Sequence, residues 1–256
     1  MALRVDLNSD LGEAFGVWPM GDDPAMLDLV SSANIACGFH AGDPMVMTRT
    51  VRAAQAAGVG IGAHPGYADL QGFGRRPMAL SGAEIEALLA YQIGALKGIA
   101  AACGTVVRHV KPHGALSNLA AVDAEAALAV ARGVQATDAG LILLAPAGSA
   151  MVAAGRRLGL AVAEEVFADR NYDDDGNLVP RSRPDAIIHD SGEAAANVLR
   201  MVTQGLLRSA GGKEIPCRVQ SVCVHGDDPQ AVTMARHLRD RLEAAGVAIA
   251  PLAGVV

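Results

Sequence analysis

Short runs of small and β-branched apolar residues alternate along this chain with longer stretches whose apolar positions recur at helical spacing. The strand-like runs lie at about 3–8, 33–37, 59–63, 106–111, 141–145, 161–166 and 220–225. Seven such βα units, eight at most, predict one parallel sheet that is closed or nearly closed. Helix starts are marked by Asp23-Pro24, Asp43-Pro44 and Asp228-Pro229, each placing a capping acid before a proline at the first helical position. Ser81 with Glu84 and Asp190 with Glu193 have the spacing of capping boxes. Gly58, Gly104, Gly159 and Gly246 follow alanine- or leucine-rich stretches as helix ends do. Residues 172–183 carry DDDGN and a proline and are expected to form a long surface loop over the site.

The polar positions break this pattern at the strand ends. Along the first strand Val5 and Leu7 alternate with Asp6 and Asn8, and Asp10, Gly12 and Glu13 follow. A polar row on a strand of a barrel is costly to bury without a purpose. Four later runs end in a histidine followed closely by glycine: NIACGFHAG at His40, GIGAHPG at His64, HVKPHG at His113 and SVCVHG at His225. In a (β/α) barrel the strand ends meet at one face, where the chemistry sits. Asp10, His40 and His64 thus offer one carboxylate and two imidazoles, fit for binding a divalent metal or for metal-free acid–base work. Lys111 can steady a developing oxyanion or a phosphoryl oxygen. Arg75 and Arg170, in loops after the third and sixth strands, can fork a carboxylate or phosphate. His109, His189 and His237 read as structural or solvated.

Length and composition narrow the function. With 256 residues, 51% hydrophobic and 19% charged, the chain suits a single domain, residues 1–256, around one core. A net charge of −6 without basic stripes argues against nucleic acid or anionic membrane as partners. The opening MALRVDLNSD lacks a secretory pattern, and the apolar region 141–154 is too short to span a bilayer, so a cytoplasmic protein is expected. Cys37, Cys103, Cys217 and Cys223 show no zinc-type spacing and are expected as reduced, mostly buried thiols. No phosphate-binding P-loop, dinucleotide fingerprint, G-x-S-x-G elbow or H-E-x-x-H pair is present, and Gly211-Gly212-Lys213-Glu214 lacks the P-loop spacing.

Taken together, DLNSDLGEAFG at 6–16, SANIACGFHAGDP at 32–44, GAHPGYADLQGFGRR at 62–76, VKPHGALSN at 110–118, EVFADRNY at 165–172, LVPRSRP at 178–184 and VHGDDP at 224–229 resemble the LamB/YcsF family. The resemblance implies a distorted (β/α) barrel of seven or eight parallel strands, similar to the glycoside hydrolase/deacetylase superfamily. It implies the A subunit of a bacterial 5-oxoprolinase, which opens 5-oxo-L-proline to L-glutamate with ATP as co-substrate, with Mg2+, and works with subunits B and C. On that basis Asp10 or one of His40 and His64 is expected as general base, with Lys111 and His113 stabilising charge. Asn8, Glu13, Asn34, Arg75, Arg170 and His225 are expected to contact the substrate, and a metal, if bound, to sit on Asp10, His40 and His64. Two departures stand out: Ser117 occupies a place usually aromatic in the family, and Ser9 one that is commonly cysteine. The competing readings are a metal-dependent deacetylase or related amide hydrolase, and a non-catalytic subunit that binds a small acid and regulates its neighbours.

Overall fold

A computed structural model describes residues 3–225 and 231–256. Seven parallel strands close into a ring: β1 (Arg4–Leu11), β2 (Ser32–Ala36), β3 (Gly60–His64), β4 (His109–Val110), β5 (Ile142–Pro146), β6 (Ala161–Phe167) and β9 (Ser221–Cys223). Closure comes from β9, which pairs with β6 on one side and β1 on the other, with Asp6 opposite Ser221 and Asn8 opposite Cys223. A short β10 (Ala248–Ile249) adds to the lower end of β1 outside the ring. The apolar runs predict the strands well. Where they overshoot, as at 106–111, only His109 and Val110 pair, and Pro112 ends the run.

The two faces of the ring differ in kind. Val5, Leu7 and Leu11 point outward into the main apolar core beneath the helices, while Asp6, Asn8 and Asp10 are buried among polar partners inside the barrel. On the β5 side the interior is apolar: Ile142, Leu144 and Ala163 form a small cluster closed from below by Leu252. The active half of the lumen is therefore a polar wedge set against a greasy wall.

Around the ring run α1 (Asp23–Leu27), α2 (Pro44–Ala56), α3 (Gly82–Ala102), α4 (Gly114–Val122), α5 (Ala124–Thr137), α6 (Ala150–Arg157), α7 (Ser191–Gln204) and α8 (Ala231–Ala244). Asp43 caps α2 through the Met45 and Val46 amides, and Ser81 with Glu84 completes a capping box on α3. Asp190 caps α7 through the Glu193 amide. The cap of α1 is Asp22 rather than Asp23; the Asp23 carboxylate instead accepts from the Gly12 amide and the Thr50 hydroxyl, tying the loop after β1 to α2. Gly58, Gly104, Gly159 and Gly246 all adopt the left-handed conformation expected of helix ends. The expected cap at Asp228-Pro229 lies outside the described residues.

Two features differ from the sequence reading. The 21-residue α3, not the region 141–154, is the segment long and apolar enough to cross a membrane by length and composition; it lies against the barrel and buries Ile85, Leu89, Ile93 and Leu96. An antiparallel hairpin, β7 (Leu206–Arg208) and β8 (Glu214–Pro216), follows α7, and Gly211-Gly212 forms its turn. The loop from Tyr172 is anchored as well as exposed: Tyr172 and Val179 are buried, and the Phe167 amide donates to the Tyr172 hydroxyl at 2.8 Å.

Candidate active site

Lys111 is the hub of the polar wedge. Its ammonium lies 2.9 Å from Asp10 Oδ1, 3.0 Å from Glu165 Oε1, 3.2 Å from Asn8 Oδ1 and 3.1 Å from Cys223 Sγ. Burial favours the neutral amine, but the acidic groups around it outweigh burial and hold Lys111 well above its usual range. Burial likewise pushes the Asp10 carboxyl up, yet the His64 and Lys111 charges prevail and hold it well below the usual carboxylate range. Glu165, whose burial counts for more than Lys111, is raised. The result is a fixed ion pair with an ionised Asp10 at the barrel mouth.

Beneath it a buried network fixes both partners. The Asn34 amide donates to Asn8 Oδ1 at 2.7 Å and Asp10 Oδ1 at 2.9 Å, while the Asn8 amide donates to Glu165 Oε1 and Ser221 Oγ. His109 Nε2 sits 2.8 Å from Asn34 Oδ1, and burial pushes its imidazole down to about 3. Asn8 and Asn34, expected to touch substrate, are wholly buried and instead hold Asp10 and Lys111 in place. His109, read as structural from the sequence, lies inside this buried network.

The histidines gather on the other side of Asp10. His64 Nε2 lies 3.3 Å from Asp10 Oδ2 and 2.9 Å from His113 Nδ1; His40 stacks flat on His113 at 3.8 Å and meets Glu13 Oε1 at 3.2 Å. Burial, then the neighbouring histidines, holds His40 and His113 well below the usual imidazole value. Glycines make room for the rings. A Cβ at Gly74 would stand 2.7 Å from His40 Cβ and 2.9 Å from His113 Cδ2, and one at Gly66 2.8 Å from His40 Nδ1.

His225 closes the site beyond the end of β9. Asp169 grips its Nδ1 with both carboxylate oxygens, at 2.7 and 2.9 Å, and Phe167 stacks on the ring. The donor atoms of His225, Asp10 and Cys223 lie within 4.8 Å of one another. Asp169 and Glu165, within EVFADRNY, and Cys223, within SVCVHG, join the site from segments whose arginine and histidine are the residues expected at the substrate. The acid at Glu165, inside an otherwise apolar strand end and on the same face as Phe167, is the available signal for one of them.

The arginines divide. Arg75 is exposed on the rim, its guanidinium carbon 4.9 Å above the Phe73 ring. Arg170, expected at the substrate, is buried and committed to the Val179 and Ala186 carbonyls, so it pins the 172–183 loop instead. A cleft of about 180 Å³, lined by Glu13, Phe15, Trp18, His40, Leu70 and Phe73 among others, opens beside the histidines. Ser9 braces the segment that carries His225, because its hydroxyl donates to the Val224 carbonyl at 2.7 Å. The structure gives no consequence for Ser117.

The LamB/YcsF family model matches residues 5–256, the whole barrel including every residue of this site. This chain belongs to the LamB/YcsF family. A family relative from Rhodopseudomonas palustris (strain BisB18), named as the A subunit of 5-oxoprolinase, is 56% identical over 98% of each chain. The solved lactam utilization protein from Thermus thermophilus is 46% identical, covers 97% of this chain and 99% of its own, and superposes with a TM-score of 0.91. A solved T48 deacetylase, at 14% identity and a TM-score of 0.54 over 99% of this chain and 90% of its own, shares the barrel fold with this LamB/YcsF member.

Proposed function

We propose that this chain is the A subunit of an ATP-dependent 5-oxoprolinase, a cytoplasmic hydrolase that opens 5-oxo-L-proline to L-glutamate with partner subunits B and C. The relatives' names and the likeness to a lactam utilization protein support the cyclic amide as substrate. The observation that carries the reading is the ionised Asp10 beside a buried, charged Lys111, with a histidine on each flank. A carboxylate kept charged next to a fixed cation is equipped to take a proton from water and to steady the oxyanion that water creates.

The substrate explains the need for ATP. A five-membered lactam is an unstrained amide with a poor leaving group. Phosphorylation of its oxygen gives an imidate-like species; water then adds at that carbon, the ring nitrogen gains a proton and leaves as an amine, and a second water hydrolyses the resulting acyl phosphate to carboxylate and phosphate. In this chain Asp10 takes the water proton and Lys111 faces the developing charge. His225, held by Asp169, supplies the proton to nitrogen. Arg75 on the rim meets the substrate carboxylate. The sequence carries no phosphate-cradling loop, so the phosphorylation step, with ATP and Mg2+, is assigned to the assembled complex.

Glutamate release from 5-oxoproline, measured for this chain alone and with both partner subunits, each with and without ATP, tests the reading. Release is expected only from the complete set with ATP. Turnover by the isolated chain at the full rate would overturn the division of labour, and ATP-independent release of acetate from N-acetyl substrates would move the protein to the deacetylases.

A further inference from the structure

The histidine cluster has an electronic problem that its own hydrogen bonds create. His64 Nδ1 lies 2.7 Å from the Lys111 carbonyl oxygen, and His113 Nε2 lies 2.8 Å from the Phe73 carbonyl oxygen. A carbonyl only accepts, so each of these nitrogens carries its ring's hydrogen. With both rings neutral, His64 Nε2 and His113 Nδ1 point lone pairs at each other across 2.9 Å, and His64 Nε2 also faces Asp10 Oδ2 at 3.3 Å. Glu13 Oε1 stands 3.7 Å from the same His113 nitrogen and 3.2 Å from His40 Nε2. One ligand-capable atom each from Glu13, His40, His64 and His113 thus lies in a buried space, all within 4.8 Å of one another.

The separations suit one particular occupant. Donors bound tetrahedrally at the zinc–nitrogen and zinc–oxygen distance of roughly 2.05 Å stand about 3.3 Å apart. Here three of the separations between these donors are 2.9, 3.2 and 3.7 Å. The outer hydrogen bonds of His64 and His113 to carbonyls are also the arrangement that orients metal-binding imidazoles.

We propose that Glu13, His40, His64 and His113 form a binding site for one divalent first-row transition ion of the zinc class. The site replaces the Asp10, His40 and His64 set expected from the sequence. Asp10 Oδ1 already accepts from Lys111 and Asn34, so that carboxylate stands beside the ion as its neighbour. Three imidazoles and one carboxylate select zinc, cobalt or nickel over magnesium or calcium, which prefer all-oxygen surroundings. The site follows from donor geometry alone and holds whichever reaction the barrel performs.

The experiment is metal binding by the full chain, stripped with a chelator and titrated with Zn2+ by calorimetry and with Co2+ by visible absorption. One equivalent of Zn2+ is expected, competing with Co2+ whose absorption has tetrahedral intensity. Affinity should fall at least about 100-fold in His64→Gln and in His113→Gln, and measurably in Glu13→Gln, because even outer-sphere changes cost about 10–100-fold. Cys223→Ser, in the neighbouring cluster, should leave it unchanged. If one histidine variant does not fold, the wild-type stoichiometry, Glu13→Gln and Cys223→Ser still decide. Three results overturn the proposal: no stoichiometric binding, binding lost with Cys223→Ser but kept in the histidine variants, or an imidazolium at His64 that persists by nitrogen NMR at pH 8 when Zn2+ is in excess.

Discussion

Asp10 and Lys111 keep each other charged although both side chains are buried. Asp10→Asn should lower turnover of the assembled enzyme by about 10²- to 10⁴-fold while assembly persists, which steady-state kinetics with a pull-down of the partners would measure. Retained turnover would return the chain to a regulatory role. Lys111→Met removes the ammonium shared by Asp10 and Glu165 and should cost about 3–5 kcal/mol in urea unfolding, because it strands buried carboxylates. His109 sets a pH dependence whose sign follows from its burial. It stays neutral in the fold down to about 3, while in the unfolded chain imidazole protonates near roughly 6.5. Below that pH the unfolded state binds the extra proton, so stability is lost as pH falls, by at most about 1.4 kcal/mol per pH unit for this group. Asp6 opposes it: burial raises its carboxyl to about 6, so the fold gains a proton, and stability, as pH drops toward the ordinary value of 3.8. Urea midpoints of His109→Gln and the parent between pH 7.5 and 5 separate the two, and a parent slope no steeper than the variant's would refute the His109 account.

At the level of elements, the loops after β2, β3 and β4 hold the histidines because glycine lies against the rings. Gly74 has φ of +62° and no space for a Cβ between His40 and His113. Gly74→Ala should therefore cut activity at least about tenfold, and bind Zn2+ more weakly, with little change in helix content by circular dichroism. These elements are readable in the chain. Apolar runs between capping acids and terminal glycines mark the strands, and histidine followed by glycine marks the mouth. What stays hidden depends on distance along the chain. Asp169 and His225 are 56 residues apart, and nothing local in either segment announces the pair. Arg170 and Asp169 are adjacent, yet the strand end turns one into the loop and the other toward the site, a choice set by tertiary packing. The β7–β8 hairpin escapes notice because its three-residue strands carry no sustained alternation.

For the whole molecule, the lip of the cleft offers a built-in reporter. Trp18 is the chain's single tryptophan, lines the cleft and is 68% exposed, with Val17, Met20 and Leu70 exposed nearby. Saturating 5-oxoproline or a partner subunit that covers this lip should shift its emission to shorter wavelength, and Trp18→Phe should abolish the signal; an unchanged spectrum on full assembly would place both contacts elsewhere. Ring closure carries a consequence of another kind, in time. Asp6 on the first strand hydrogen-bonds Ser221 on the last, 215 residues later. At synthesis rates of roughly 5–20 residues per second, the strand bearing Asp10 leaves the ribosome about 10 to 40 s before its closing neighbour exists. Through that interval the nascent chain displays an open sheet edge and half a catalytic centre, so this barrel is born late and depends on being kept from sticking to others until its final strand arrives.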